Sequence, residues 1–181
     1  MVTFRYGITG TYAFEVPTDE LECVHPAAAS LADPMQTLRE KLASPLDFPP
    51  LSQAAVPGDK VVIALDRYTP IAAECIAAIW ESLSQRGVAA EDLLILQPTA
   101  LPGAPVLDPR GLLPEDVRAQ VRWRIHDATD SEQLAYLSST VGGERIYLDR
   151  DLVEADLTIT VGEIAFDPVM GIRGTNSVLY P

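Results

Sequence analysis

The chain has 181 residues, 26 acidic against 13 basic side chains and a formal net charge of −13 at pH 7, a length that suits one buried core rather than two. That charge repels phosphate backbones, and Arg122, Arg124, Arg145, Arg150 and Arg173 are each flanked by apolar or acidic neighbours instead of forming a patch, so nucleic acid is not an expected partner. Cys23 and Cys75 make neither a disulfide framework nor a metal-ligand spacing, and no apolar run suits a signal peptide or a membrane span, so a cytoplasmic protein with no membrane partner is expected.

The start, "VTFRYGITGTYAFEVP", alternates around Gly7 and Gly10 and predicts a β-hairpin. A proline-rich stretch from Thr18 to Pro57 follows, with one helix in "DPMQTLREKLAS": Asp33 caps it, Pro34 takes the first turn, and Leu38 and Leu42 share a face. His25 in this wrap has no helper in sequence and is read as solvent-facing. "KVVIAL" is an unbroken apolar strand of the kind buried on both faces. "PIAAECIAAIWESLSQRG" then predicts a helix with Ile71, Cys75, Ile79 and Leu83 on one stripe, Thr69 as its cap, Pro70 in its first turn and Gly87 as its stop; Cys75 reads as a buried free thiol. "DLLILQ" is a second buried strand, so the two should run parallel with a right-handed crossover.

"LPEDVRAQ" predicts a short helix, "VRWRIHD" a strand nearer the sheet edge, and "LAYLSSTVGGERIYLD" a hairpin turning at Gly142-Gly143. "DRDLVEAD" offers one more helical turn, and "LTITVG" is the last core strand, running into a loop, "EIAFDPVMGIRGTNS". The expected fold is α/β: a mostly parallel sheet flanked by helices, Rossmann-like and three-layered, with added β-hairpins, as a single domain over residues 1–181.

Three strands thus end in polar, Gly or Pro-rich loops, which a parallel sheet gathers on one edge. In "DRYTP", Asp66 suits the hydroxyls of a sugar or small acid, Arg67 a phosphate or carboxylate, and the helix start beyond it an anion; the plainer alternative is that Asp66 and Arg67 pair or cap the turn. "GIRGTNS" lets backbone amides approach an anion, or is a plain turn, and contributes Arg173 and Asn176. Adjacent side chains on a strand point to opposite faces, so His126 and Asp127 do not form a dyad, and His126 is read as satisfying a neighbouring backbone group. No serine or cysteine stands in an elbow context, and no metal ligand set is identified.

The order of these segments, from "YGITGTYAFEVP" through "PGDKVVIALDRYTP", "QPTALPGAP", "RIHDATD" and "LAYLSSTVGGERIYLDRDLVEADLTITVG" to "VLYP", resembles the N-terminal domain of the nickel-dependent lactate racemase family. Members are about twice this length, so the resemblance implies a C-terminal domain as partner. It implies an isomerase of 2-hydroxy acids that holds a nickel pincer nucleotide between its domains, tethered by one first-domain lysine, with two first-domain histidines as alternating acid and base. The family's S-D-x-T-R-P loop is matched by Leu65 to Pro70: the aspartate is Asp66, the arginine position holds Thr69, and Arg67 is a stand-in. Ala100 takes the place of the first histidine and Asp167 of the second, while Ser177 or, with a one-residue shift, Asn176 takes that of the lysine. The nickel-ligating histidine of the family falls beyond Pro181.

Three functional readings follow. The first is a divergent racemase-like domain that binds a small hydroxy acid or nucleotide-type cofactor through Asp66, Arg67, Thr69, Arg173 and Asn176, with Asp167 as the remaining acid/base candidate. The second is a non-catalytic ligand-sensing or assembly module on the same fold. The third is an active racemase with a cofactor held non-covalently.

Overall fold

A computed structural model describes residues 1–6, 10–15, 17, 29–99, 106–167 and 171–179; His25, Cys23 and Ala100 lie outside them. β1 (Val2–Tyr6) and β2 (Gly10–Phe14) form the antiparallel hairpin read from the alternation. α1 (Pro34–Ala43) begins where Asp33 accepts the Gln36 amide at 2.9 Å.

The centre is β3 (Val61–Leu65), α2 (Ala72–Ser84) and β4 (Leu93–Gln97). Every residue of both strands is buried, because helices cover the sheet on two sides. Alternation divides the faces: Val61, Ile63, Leu65, Leu93 and Ile95 pack with Ile76, Ile79 and Leu83 of α2, whereas Val62, Leu94 and Leu96 meet Leu152 and Ala155. On the first face α1 lies outside α2, joined to it by a bidentate pair from Arg39 to Glu81.

α3 (Glu115–Gln120) leads into β5 (Arg122–Ile125). β6 (Leu134–Ser139) and β7 (Arg145–Asp149) make the second hairpin, and α4 (Arg150–Val153) turns the chain into β8 (Leu157–Val161). The sheet order is β5-β4-β3-β8 with every pair parallel, as the unbroken apolar strands require. The α/β class, the hairpins and the edge position of β5 agree with the sequence reading.

Three expectations change. The stretch after β8 read as a loop contains a third hairpin, β9 (Ala165–Asp167) and β10 (Gly171–Arg173). Thr69 and Pro70 do not start α2 either: the chain makes a turn there, and Ile71 sits at the helix start with φ 49°, so it leaves the apolar stripe and is 38% exposed. Cys75 is a free thiol, half-buried rather than buried; burial, helped by Glu74, pushes its pKa up.

Candidate functional site

The carboxyl ends of β3, β4 and β8 share one edge. Asp66, the residue after β3, is 8% exposed, and its amide donates to Val161 O at 2.8 Å, so the turn continues the β3–β8 ladder by one step. Its carboxylate accepts the Arg67 amide at 2.8 Å and pairs with the Arg173 guanidinium of β10. The Thr69 hydroxyl donates to Asp66 O at 2.9 Å. Gly162, just past β8, is needed here: a Cβ on it would stand 3.3 Å from Asp66 Cβ and 3.6 Å from Thr175 Cα, so a side chain would push Asp66 and the last turn apart.

The six sequence-derived residues therefore divide. Asp66, Thr69 and Arg173 are joined through one carboxylate and its turn. Asn176, exposed in the short 3-10 turn Thr175–Val178, meets the Thr160 hydroxyl at 3.4 Å beside that cluster. Asp167 is part-buried at the turn end of the third hairpin, opposite Gly171, whereas Arg173 occupies its base opposite Ala165. Arg67 turns to the other side. It stands 5.9 Å over the Tyr68 ring, has no ion pair among the described residues, and lines a cleft of about 580 Å³ with Thr69, Ile71, Ala72 and Ala73.

That cleft is suited to an anion on one wall. α2 has no side-chain cap, so the amides of its first turn are without an intrahelical acceptor and face the same space as Arg67. The carboxylates on the rim are Glu74 and Asp108. Asp108 is already occupied: hydrogen bonds from Arg110 foremost, opposed by burial and aided by Arg118, hold its pKa down at about 2.

Sequence reasoning missed the strongest polar network on this edge. His126 lines a separate cavity across the sheet, and its Nδ1 lies 2.9 Å from Asp149, twenty-three residues on. Its partner is thus a buried carboxylate and not the backbone group expected; Asp127 instead accepts from Thr129 in a local turn. Arg124 joins Asp149 at 2.7 Å and Asp151 at 2.6 Å. The usable signal was that Asp149 closes a strand and opens a helical turn, where a capping aspartate accepts the Asp151 amide.

The residues present do not fit a covalently tethered pincer cofactor. Neither position aligned with the tethering lysine offers an amine, and both are engaged: Asn176 with Thr160, and Ser177 through its hydroxyl with the Gly174 amide. No group of three or more His, Cys, Asp or Glu suited to a metal occurs among the described residues.

Residues 6–181 match the family model described as the lactate racemase N-terminal domain. No curated protein matches the chain. Among solved structures, the lactate racemase apoprotein from Thermoanaerobacterium thermosaccharolyticum is similar at 19% identity and a TM-score of 0.49, over 86% of this chain and 37% of that one. The chain thus spans 37% of the length of that protein.

Proposed function

The chain belongs to the lactate racemase N-terminal domain family, and from that premise we propose that it is a divergent member that binds a small hydroxy acid, or the anionic end of a nucleotide-type cofactor, at the β3–α2 edge. The observation that supports this most is Arg67, a guanidinium with no carboxylate partner among the described residues, set beside the uncapped start of α2. Asp66, fixed by Arg173 and its own turn, holds the loop in the conformation that presents Arg67. Asp66 and Thr69 are positioning residues in this reading, and Arg173 and Asn176 close the edge next to them.

Racemisation by the family route is not part of the proposal. It needs two groups that exchange a proton on either face of one carbon. Ala100, at the position that the resemblance gives to the first histidine, cannot carry a proton.

Titration calorimetry of the full chain with lactate and with a mononucleotide tests the reading. Binding of either that weakens roughly tenfold or more in Arg67→Gln, with an unchanged thermal midpoint, is expected, since a hydrogen bond to a charged group contributes about 1.5–3 kcal/mol. Absence of binding, or binding indifferent to Arg67, would remove it. An assembly module is favoured instead by one feature: Phe166 and Ile172, cross-strand neighbours on the third hairpin, are 79% and 76% exposed. A mass that rises with protein concentration would select that reading.

A further inference from the structure

The Arg67 cleft has a further donor that comes from the sheet and not from the β3–α2 turn. Gln97, the last residue of β4, stands one step past the final β3–β4 pair, Ala64 with Leu96, and is 5% exposed. Strand alternation puts its side chain with Leu93 and Ile95 on the face that packs against α2, where it borders the cleft together with Arg67 and the first turn of the helix.

Trp123 fixes which end of the amide faces the cleft. An indole N–H only donates, and it lies 2.8 Å from the Gln97 side chain, so the atom it meets is the carbonyl oxygen Oε1. Arg110, 5.4 Å over the same ring and bonded to Asp108 and to Val121 O, holds the indole in place. The remaining end is Nε2, a donor with no partner among the described residues. Among those residues no fully buried side-chain nitrogen or oxygen lacks a partner, so Nε2 reaches the surface, and the surface that this side chain borders on the α2 face is the cleft.

Charge limits what these donors suit. Arg67 is the one guanidinium among the described lining residues; Asp108 is occupied by Arg110 and Arg118, and Glu74, in the first turn of α2, has no ion-pair partner among the described residues. One positive charge beside one negative charge suits a singly charged carboxylate better than a phosphate, which carries about −1.5 to −2 at neutral pH. Much of the remaining wall is apolar: Pro70, Pro109, and the side chains of Ile71 and Leu107, which are 38% and 65% exposed. In such a surround a donor held in one orientation selects a ligand oxygen that accepts, because a mismatched group leaves both partners unsatisfied.

We propose that Gln97 is a specificity-determining residue of the Arg67 cleft, and that the ligand class is a monocarboxylic acid with an apolar chain and one uncharged carbonyl or hydroxyl oxygen. Arg67 and the first amides of α2 take the carboxylate, and the Gln97 amide donates to the uncharged oxygen. The inference rests on the reading of Arg67 given above and narrows its two anions to the acid.

Calorimetry of the full chain with valerate, α-ketovalerate and levulinate tests it, since these acids share a chain length and differ in whether and where they carry the second oxygen. At least one keto acid is expected to bind about fivefold more tightly than valerate, the worth of roughly one hydrogen bond between neutral groups. The same acid should shift the Gln97 side-chain amide resonances saturably in nitrogen-labelled protein, a readout that needs no variant. Gln97→Glu keeps an acceptor for Trp123 but turns an oxygen toward the cleft, and should abolish the preference for the keto acid; Trp123→Phe, which releases the amide, should reduce it. Arg67→Gln should weaken valerate and the keto acids alike. Equal binding of all three acids, a preference that survives Gln97→Glu, or unmoved Gln97 resonances would overturn the inference and leave the Arg67 reading standing. Adenosine monophosphate bound more tightly than every acid would overturn the choice of a carboxylate, and binding of none of them would remove both readings.

Discussion

Asp108 shows how one residue can be neutral to a ligand while important to the chain. It borders the anion cleft, yet Arg110 and Arg118 occupy its oxygens at 2.9–3.0 Å, and Arg110 also stacks 5.4 Å over Trp123. Its folded pKa of about 2 lies below the ordinary 3.8. A carboxylate depressed in the folded state stabilises fully above its unfolded pKa, and that contribution disappears as pH falls through the folded value. The difference in denaturation midpoint between the parent and Asp108→Asn should therefore be constant above about pH 5 and shrink between about pH 4 and pH 2; a difference that stays constant down to pH 2 would mean the ion pairs contribute nothing. At this scale the sequence was half legible. Asp66 and Arg67 were identifiable because charges stand at the end of an apolar strand, but their partners were not. Arg173 reaches Asp66 from a hairpin more than a hundred residues on, and Asp149 reaches His126 across another, distances over which spacing carries no signal.

Elements were read best where one physical requirement dominated. β3 and the first four residues of β4 are apolar because both strands are covered on both faces, and α1 carries its cap and first-turn proline in order. The third hairpin escaped because strands of three residues, Ala165–Asp167 and Gly171–Arg173, are too short for alternation to distinguish them from a loop. The start of α2 was misplaced because Thr-Pro is a sound helix opening locally, while the turn that pairs Asp66 with Thr69 takes those residues first. Its end was legible. Gly87 adopts φ 84°, and a Cβ there would meet Pro57 Cγ at 3.1 Å. Gly87→Ala should destabilise by roughly 1–2 kcal/mol from the backbone conformation alone, with more from displacing Pro57. Urea denaturation measures this, and a loss below about 0.5 kcal/mol would show that the turn relaxes.

For the molecule as a whole, charge is the lever. A net charge of −13 on a chain of this size repels itself when compact, while the ion pairs Arg39–Glu81 and Arg124–Asp149 oppose that locally. Salt screens the long-range repulsion over about 10 Å at 0.1 M and weakens short, partly buried pairs much less. The thermal midpoint at neutral pH should consequently rise between 10 mM and 150 mM sodium chloride; a fall would show that the pairs outweigh the general repulsion.

The strand order has a consequence for synthesis on the ribosome. β3, α2 and β4 are complete once Gln97 has emerged, but the other edge of β3 is closed only by β8, after everything from Pro98 to Asp156 has been made. For a time on the order of seconds at ordinary translation rates, the nascent chain carries an apolar strand with a vacant row of amides and carbonyls. The acidic residues spaced through that intervening segment, Asp116, Asp130 and Glu144 among them, would keep neighbouring nascent chains apart while that edge waits.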